Sequence, residues 1–195
     1  HSNADGRAMG LKDALRAAVE RSTGLRVMRQ PPFGLDKYAD IKLVLAGHTM
    51  RTLIDIGANV GQTARELRKA WPDAEIHCCE PVPTTFNALK AAVAGDARTH
   101  CHPVAIGARH ETLEMHLAQG GERSDISSLH AGHPALEGAR ITHIPVQVIP
   151  LTALFEQQGI TRADLLKIDT EGHDLHVLDG AAPLLASGRI GLVDV

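Results

Sequence analysis

The residues Leu53-Ile54-Asp55-Ile56-Gly57-Ala58-Asn59-Val60-Gly61-Gln62 constrain this chain more than any other stretch. Leu53, Ile54 and Ile56 supply a buried strand. Gly57 and Gly61 supply a tight turn, where a side chain would obstruct either the backbone path or a bound group. Residues 63–71 then read as a helix. Its first N–H groups have no partner within the helix and face whatever lies over the turn.

Two cofactor classes use such a turn. Dinucleotides require Gly-x-Gly-x-x-Gly. Counted from Gly57, that pattern needs glycine where Asn59 and Gln62 stand. The alternative, acid-x-Gly-x-(Gly/Asn)-x-Gly, is filled by Asp55, Gly57, Asn59 and Gly61, with Ala58 inside the turn. That spacing is the nucleotide loop of class I S-adenosylmethionine (SAM) methyltransferases. SAM carries an ammonium at its methionine end and a sulfonium at its centre, so a carboxylate at the strand end suits it better than it suits a pyrophosphate. The plainer account, a tight turn without a ligand, leaves the meeting of two glycines, an asparagine and an acid to chance.

The chain in order supports an α/β domain. Residues 11–21 repeat apolar side chains at helical spacing, and Gly24 stops that helix. Pro31-Pro32-Phe33-Gly34 is a loop, and residues 41–45 fit a strand or a helix equally. After the glycine turn, Pro72 ends the helix. A second strand over 75–79, a helix over 83–94 and a third strand over 99–105 follow. Short connections and right-handed crossovers make this a parallel sheet. Residues 112–117 alternate like a strand, whereas 119–143 are polar, rich in Gly, Ser and His, and without period. A loop of that length is more often functional or mobile than idle. Residues 144–149 read as a strand, 151–158 as a helix, 165–168 as a buried strand ending at Asp169, 175–185 as a helix weakened by Gly180 and Pro183, and 190–195 as a strand. The predicted fold is a Rossmann-like, doubly wound, mostly parallel sheet. Residues 1–4 are set aside as an expression scar, 5–50 as an N-terminal helix and lead-in, and 51–195 as the SAM-binding domain with its long loop 119–143. A full class I sheet has two more strands than this reading finds. The open edge of the last one leads us to expect further residues or a partner chain, such as a homo-oligomer, against it.

Composition narrows the function classes. The formal net charge is −3 and no Lys/Arg run stands out, which argues against a protein that grips nucleic acid through phosphates. No apolar run reaches the roughly 20 residues of a membrane span, and no secretory signal is visible. Cys78, Cys79 and Cys101 are odd in number and two are adjacent, so no disulfide framework is expected. Free thiols fit the reducing cytoplasm. His100 and His102 share a strand face, and His130, His133 and His143 fall in the polar loop. None of them has zinc-site spacing, so no structural metal site is expected.

Glu80 follows the second strand by one residue, at the sheet end that faces the ligand crevice. An acid there accepts both ribose hydroxyl protons. Asp169-Thr170-Glu171-Gly172-His173-Asp174 follows the fourth core strand and reaches the same crevice, with Lys167 just before it. Asp169 and Glu171 can orient a substrate hydroxyl, accept its proton or hold a divalent metal. His173 titrates near neutral pH and is a further base candidate. The alternative role for this segment is to cap the next helix, through Thr170 or Asp174.

Taken together, Asp55-Ile56-Gly57-Ala58-Asn59-Val60-Gly61, Glu80-Pro81, Ser127-Ser128-Leu129, Leu166-Lys167-Ile168-Asp169-Thr170-Glu171-Gly172 and Val177-Leu178-Asp179-Gly180-Ala181 resemble the FkbM-type SAM-dependent methyltransferases. The resemblance covers about residues 52–195. The chain departs from the family at Cys78-Cys79 before the ribose acid and at His173-Asp174 after Glu-Gly. The resemblance implies O-methylation of a hydroxyl on a sugar, glycoconjugate or secondary metabolite, with S-adenosylhomocysteine (SAH) as product. Asp55, Gly57, Ala58, Asn59, Gly61, Glu80, Pro81, Val104 and Ala105 would bind the cofactor. Asp169, Glu171 and His173 would serve catalysis, and Lys167, Ser127 and Ser128 the acceptor, with residues 119–143 closing over it. Two other readings are a non-catalytic SAM-binding or interaction domain and an NAD-dependent oxidoreductase.

Overall fold

A computed structural model describes residues 11–24, 32–119, 127–128 and 140–195. The chain divides into two compact units, His1–Ala46 and Gly47–Val195. The division falls a few residues before the boundary at position 51 read from sequence. The reason is local: Arg51 and Thr52 donate their N–H groups to the Asp164 carboxylate at 2.7 and 3.1 Å, and Met50 is buried. The lead into the first strand is thereby tied to the second unit.

The first unit contains helices α1 (Leu11–Thr23) and α2 (Lys37–Val44). Gly24, at φ +71°, donates to Glu20 O and closes α1 as the sequence suggests. The ambiguity over 41–45 resolves as helix. Asp36 caps α2 by accepting from the N–H groups of Tyr38 and Ala39, each at 3.0 Å, which settles the first turn.

The second unit is built on strands β1 (Thr52–Ile56), β2 (Glu75–Cys79), β3 (Thr99–His102), β8 (Ala163–Ile168) and β9 (Ile190–Asp194), paired in the order β3-β2-β1-β8-β9. All four pairings are parallel. Helices α3 (Gln62–Ala70) and α4 (Pro83–Ala92) make the crossovers from β1 to β2 and from β2 to β3. Helices α5 (Leu151–Gln158) and α6 (Asp174–Ala186) flank β8 in sequence and carry much of the core, where Leu154, Phe155 and Val177 pack with Ile54, Ile56, Leu166 and Ile168. The β1–β8 register sets Asp55 beside Lys167, and the β1–β2 register sets Asp55 beside Cys78. These side chains therefore share one face of the sheet.

The predicted third strand over 99–105 is two strands. Pro103 has no N–H to continue the ladder, so β3 stops at His102 and Ala105–Gly107 forms β4 in a different sheet. That second sheet has the order β4-β7-β5-β6, with β5 spanning Glu111–Gln119, β6 Ser127–Ser128 and β7 Arg140–Pro150. Strands therefore enter the predicted loop at both ends, and Ser127 and Ser128 pair antiparallel with Leu117 and His116. Residues 120–126 and 129–139, including Ser124, His130 and His133, lie outside the described residues, as does the segment 1–4. Among the described residues, no helix is long and apolar enough to cross a membrane.

Candidate functional site

The C-terminal ends of β1, β2 and β8 meet at one cavity of about 400 Å³, within the ordinary range for small-ligand sites. The loop after β1 forms its floor. Gly57 sits at φ +79°, and a Cβ there would overlap the backbone carbonyl of Asp169, so the β1 turn and the end of β8 come together only over glycine. The N–H groups of Gly57 and Ala58 both donate to Cys79 O, at 3.1 and 3.0 Å, and Gly61 N–H closes the turn on Ala58 O at 2.9 Å. Helix α3 begins at Gly61 with no side-chain cap, so its first N–H groups are left for the cavity.

Two non-glycine residues among those described have a left-handed backbone, Asn59 at φ +48° and Glu171 at φ +52°. Both line the cavity. Such conformations cost about 1–2 kcal/mol each and cluster where a site needs them.

Glu80 follows β2 and is only 5 % exposed. Its carboxylate accepts from Asn59 N–H at 3.0 Å, Val82 N–H at 2.9 Å and the Thr85 hydroxyl at 3.2 Å. Burial pushes its carboxyl above the ordinary value, and those hydrogen bonds pull the other way. A carboxylate offers about four lone-pair sites, so acceptor capacity remains toward the cavity. The side-chain oxygen of Asn59 is buried and has no hydrogen-bond partner among the described residues.

On the opposite wall, the Lys167 ammonium lies 3.3 Å from Asp55 Oδ1 and 3.2 Å from Asp169 Oδ2. The side-chain exposures grade outward: 0 % for Asp55, 9 % for Lys167 and 64 % for Asp169. The turn beyond Asp169 is shaped by Asp174, which accepts from Thr170 N–H and from its hydroxyl at 2.9 and 2.6 Å. Neither Thr170 nor Asp174 is the N-cap of α6, as the sequence suggested: that position is His173, which makes no side-chain cap, and the Asp174 carboxylate turns back to Thr170 instead. His173, at the N-cap of α6, is buried against Gly107 and stands 4.5 Å from the His176 ring.

Of the residues singled out from sequence, Gly57, Ala58, Asn59, Glu80, Pro81, Val104, Ala105, Lys167, Asp169, Glu171 and His173 line the cavity together. Asp55 does not; it stands behind Lys167. Gly61 supports the turn from below, against Leu89. Ser127 and Ser128 lie on β6 and are not among the lining residues, and their side chains fall outside the described set. Ile106 and Thr170, next to residues read as site residues, also line it, as do Gln62, Thr63, Cys79 and Met115, which the sequence did not assign to the cavity. Gln62 and Thr63 were findable as the first residues of the helix after the glycine turn. Met115 was not, because it comes from the second sheet. The histidines form a stack elsewhere: His77 lies 4.8 Å from His100 and 5.4 Å from His102, between ring centroids. Among the described residues, no group of three or more His, Cys, Asp or Glu side chains is arranged to hold a metal ion.

Residues 55–195 match the family described as the methyltransferase FkbM domain. Over 142 residues the chain is 25 % identical to a protein of Beauveria bassiana (strain ARSEF 2860) described as "Methyltransferase 1", a match that takes in 66 % of this chain and 57 % of that protein. The chain thus spans little more than half the length of this curated relative.

Proposed function

The chain belongs to the FkbM methyltransferase family, and on that premise we propose that it transfers a methyl group from SAM to a hydroxyl of a sugar, glycoconjugate or other small metabolite. The observation that carries this reading is a single cavity that gathers the glycine turn, the buried acid Glu80 and the polar turn from Lys167 to His173. The residues fit the cofactor on their own chemistry. The turn is clear of side chains where Gly57 meets Asp169, Glu80 keeps one acceptor site for a ribose hydroxyl, and the Asn59 oxygen is an unused buried acceptor. Val104, Ala105 and Ile106 offer an apolar wall for an adenine ring.

SAM supplies a methyl group activated by the sulfonium charge. The protein's part is to hold the acceptor in line with it, exclude water and take up one proton. Positioning of that kind is worth up to roughly 7–11 kcal/mol, and a well-placed base adds about 10²–10⁴-fold. Asp169, Glu171 and His173 are the groups on the acceptor side that can take the hydroxyl proton, and Lys167 a group that can orient its oxygen. Ser127 and Ser128 remain proposed acceptor contacts. We assign the carboxylates of Asp169 and Glu171 to hydrogen bonding. Three free thiols agree with a cytoplasmic setting.

Calorimetric titration with SAM, SAH and NAD tests the reading. Micromolar affinity for SAM and SAH with none for NAD is expected, followed by methyl transfer in a screen of polyols and glycosides. Affinity for NAD instead, or for none of the three, would overturn it.

A further inference from the structure

The geometry points to the Lys167–Asp169 ion pair as the seat of the cofactor's α-amino-acid end: the Lys167 ammonium takes its carboxylate, and the Asp169 carboxylate takes its ammonium. This rests on the SAM reading above and adds to it a division of labour at the end of β8. Among the described residues that line the cavity, Lys167 is the one Lys or Arg, and SAM carries one anionic group, the carboxylate of its methionine end. An α-amino acid hangs its ammonium and its carboxylate from one carbon. Lys167 and Asp169, with charged atoms 3.2 Å apart on the same wall, present the complementary pair.

The two partners of Lys167 differ in the way this role requires. Asp55 is completely buried, sits at the matching register position on β1 and lies 3.3 Å from the ammonium. Asp169 is largely exposed at the cavity. An ammonium has three N–H donors, so one remains after these two contacts. When Asp169 turns to an incoming ammonium, Asp55 still neutralises Lys167, and the lysine is not left as a lone buried charge. Asp55 is thus a positioning residue that acts through Lys167. A second consequence concerns the proton. With Lys167 and Asp169 both engaged by the cofactor, neither serves the acceptor, and the base for its hydroxyl is Glu171 or His173.

The test uses the intact chain and four probes in calorimetric titrations: SAH, decarboxylated SAH, deaminated SAH, and 5′-methylthioadenosine, which lacks the amino-acid end altogether. For the wild type, SAH is expected to bind best. Lys167→Met should weaken SAH about 10- to 100-fold, the loss of one or two charge-assisted hydrogen bonds. The same variant should leave decarboxylated SAH within about twofold of its wild-type affinity. Asp169→Asn should weaken SAH and spare deaminated SAH. The methylthioadenosine affinity of each variant reports whether its adenosine site is still folded, and Asp169→Asn, at an exposed position, carries little risk to the fold. If the wild type binds SAH and methylthioadenosine equally well, or if Lys167→Met weakens SAH and decarboxylated SAH by the same factor, the clamp does not exist while the SAM reading stands. If the wild type binds none of the four, the SAM reading falls and the clamp falls with it.

Discussion

The Asn59 N–H donates to the Glu80 carboxylate at 3.0 Å, and that contact makes the glycine turn and the end of β2 one unit. Because Val82 N–H donates to the other carboxylate oxygen, Glu80 is both a candidate ribose acceptor and the clasp of its own site. The two roles predict an unusual response to an isosteric change. In Glu80→Gln one oxygen becomes an NH₂ donor, which then faces a backbone N–H, either Asn59's or Val82's. We expect Glu80→Gln to lose SAH affinity about 10- to 100-fold, nearly as much as Glu80→Ala. Calorimetry decides: a Gln variant that binds like wild type would show that the carboxylate charge and its second acceptor are idle.

Gly57→Ala should be severely damaging. The added carbon would overlap the Asp169 carbonyl, a backbone atom that cannot rotate away, and the residue is held at φ +79°. We expect loss of detectable SAH binding and a destabilisation of about 3 kcal/mol or more, since backbone strain and overpacking add. Gly61→Ala meets the end of the Leu89 side chain at 3.0 Å, which can yield. Its cost should be clearly smaller in urea denaturation, although its φ of +85° keeps it above zero.

Legibility in the sequence followed the range of the interactions. The turn at Gly57, Asn59 and Gly61 and the acid Glu80 were readable because local chemistry fixes them: a chain cannot pass through that turn without glycine. The role of Asp55 was not. From sequence it was read as a cofactor contact at the strand end, whereas in the fold it is fully buried beside Lys167, 3.3 Å from the ammonium on the neighbouring strand. Only the β1–β8 register, which joins residues more than a hundred positions apart, shows that pairing. The second sheet escaped for the same reason. Its β6 is two residues long and has meaning only against β5. The break at Pro103 was legible in principle, since a proline inside a run that otherwise reads as a strand argues against continuity.

His77 should give the domain an acid-sensitive component. Burial, followed by the neighbouring His102 and His100, pushes its pKa from 6.5 down to about 4, with Glu75 opposing. The folded state therefore holds His77 neutral where the unfolded chain is already protonated. The unfolded state binds more protons in that interval, so stability rises with pH there. The contribution is complete above pH 6.5 and is lost as pH falls from about 6.5 to about 4. The loss reaches at most about 3 kcal/mol. Asp164 has the sign expected of a satisfied acid: burial alone would raise its pKa, but hydrogen bonds from Arg51, Thr52, His48 and Arg162 hold it below the ordinary value. Its contribution therefore disappears only at still lower pH. Urea unfolding at pH 7, 5.5 and 4.5 should show a steeper decline for wild type than for His77→Phe, which keeps a ring in the stack. Parallel profiles would assign the acid sensitivity to other groups.

Asp55 and Lys167 allow stability and binding to be separated. The pair is buried, so removing one member leaves the other without its counter-charge, at a typical cost of 3–5 kcal/mol. Asp55→Leu alone should therefore lower stability by less than that amount, because Lys167 retains Asp169. Lys167→Met alone should cost more, up to about 3–5 kcal/mol, by removing the ammonium beside the fully buried Asp55 carboxylate. Replacing both by apolar residues of similar volume removes the charge problem altogether, and such replacements are often neutral or stabilising. The double variant Asp55→Leu/Lys167→Met should thus recover most of the stability that either single change loses. It should not recover SAH affinity, because the cavity then lacks its lysine. Guanidinium unfolding and calorimetry on the three variants read the two quantities independently. Recovery of stability together with binding would mean that the ion pair serves the fold and takes no part in holding the ligand.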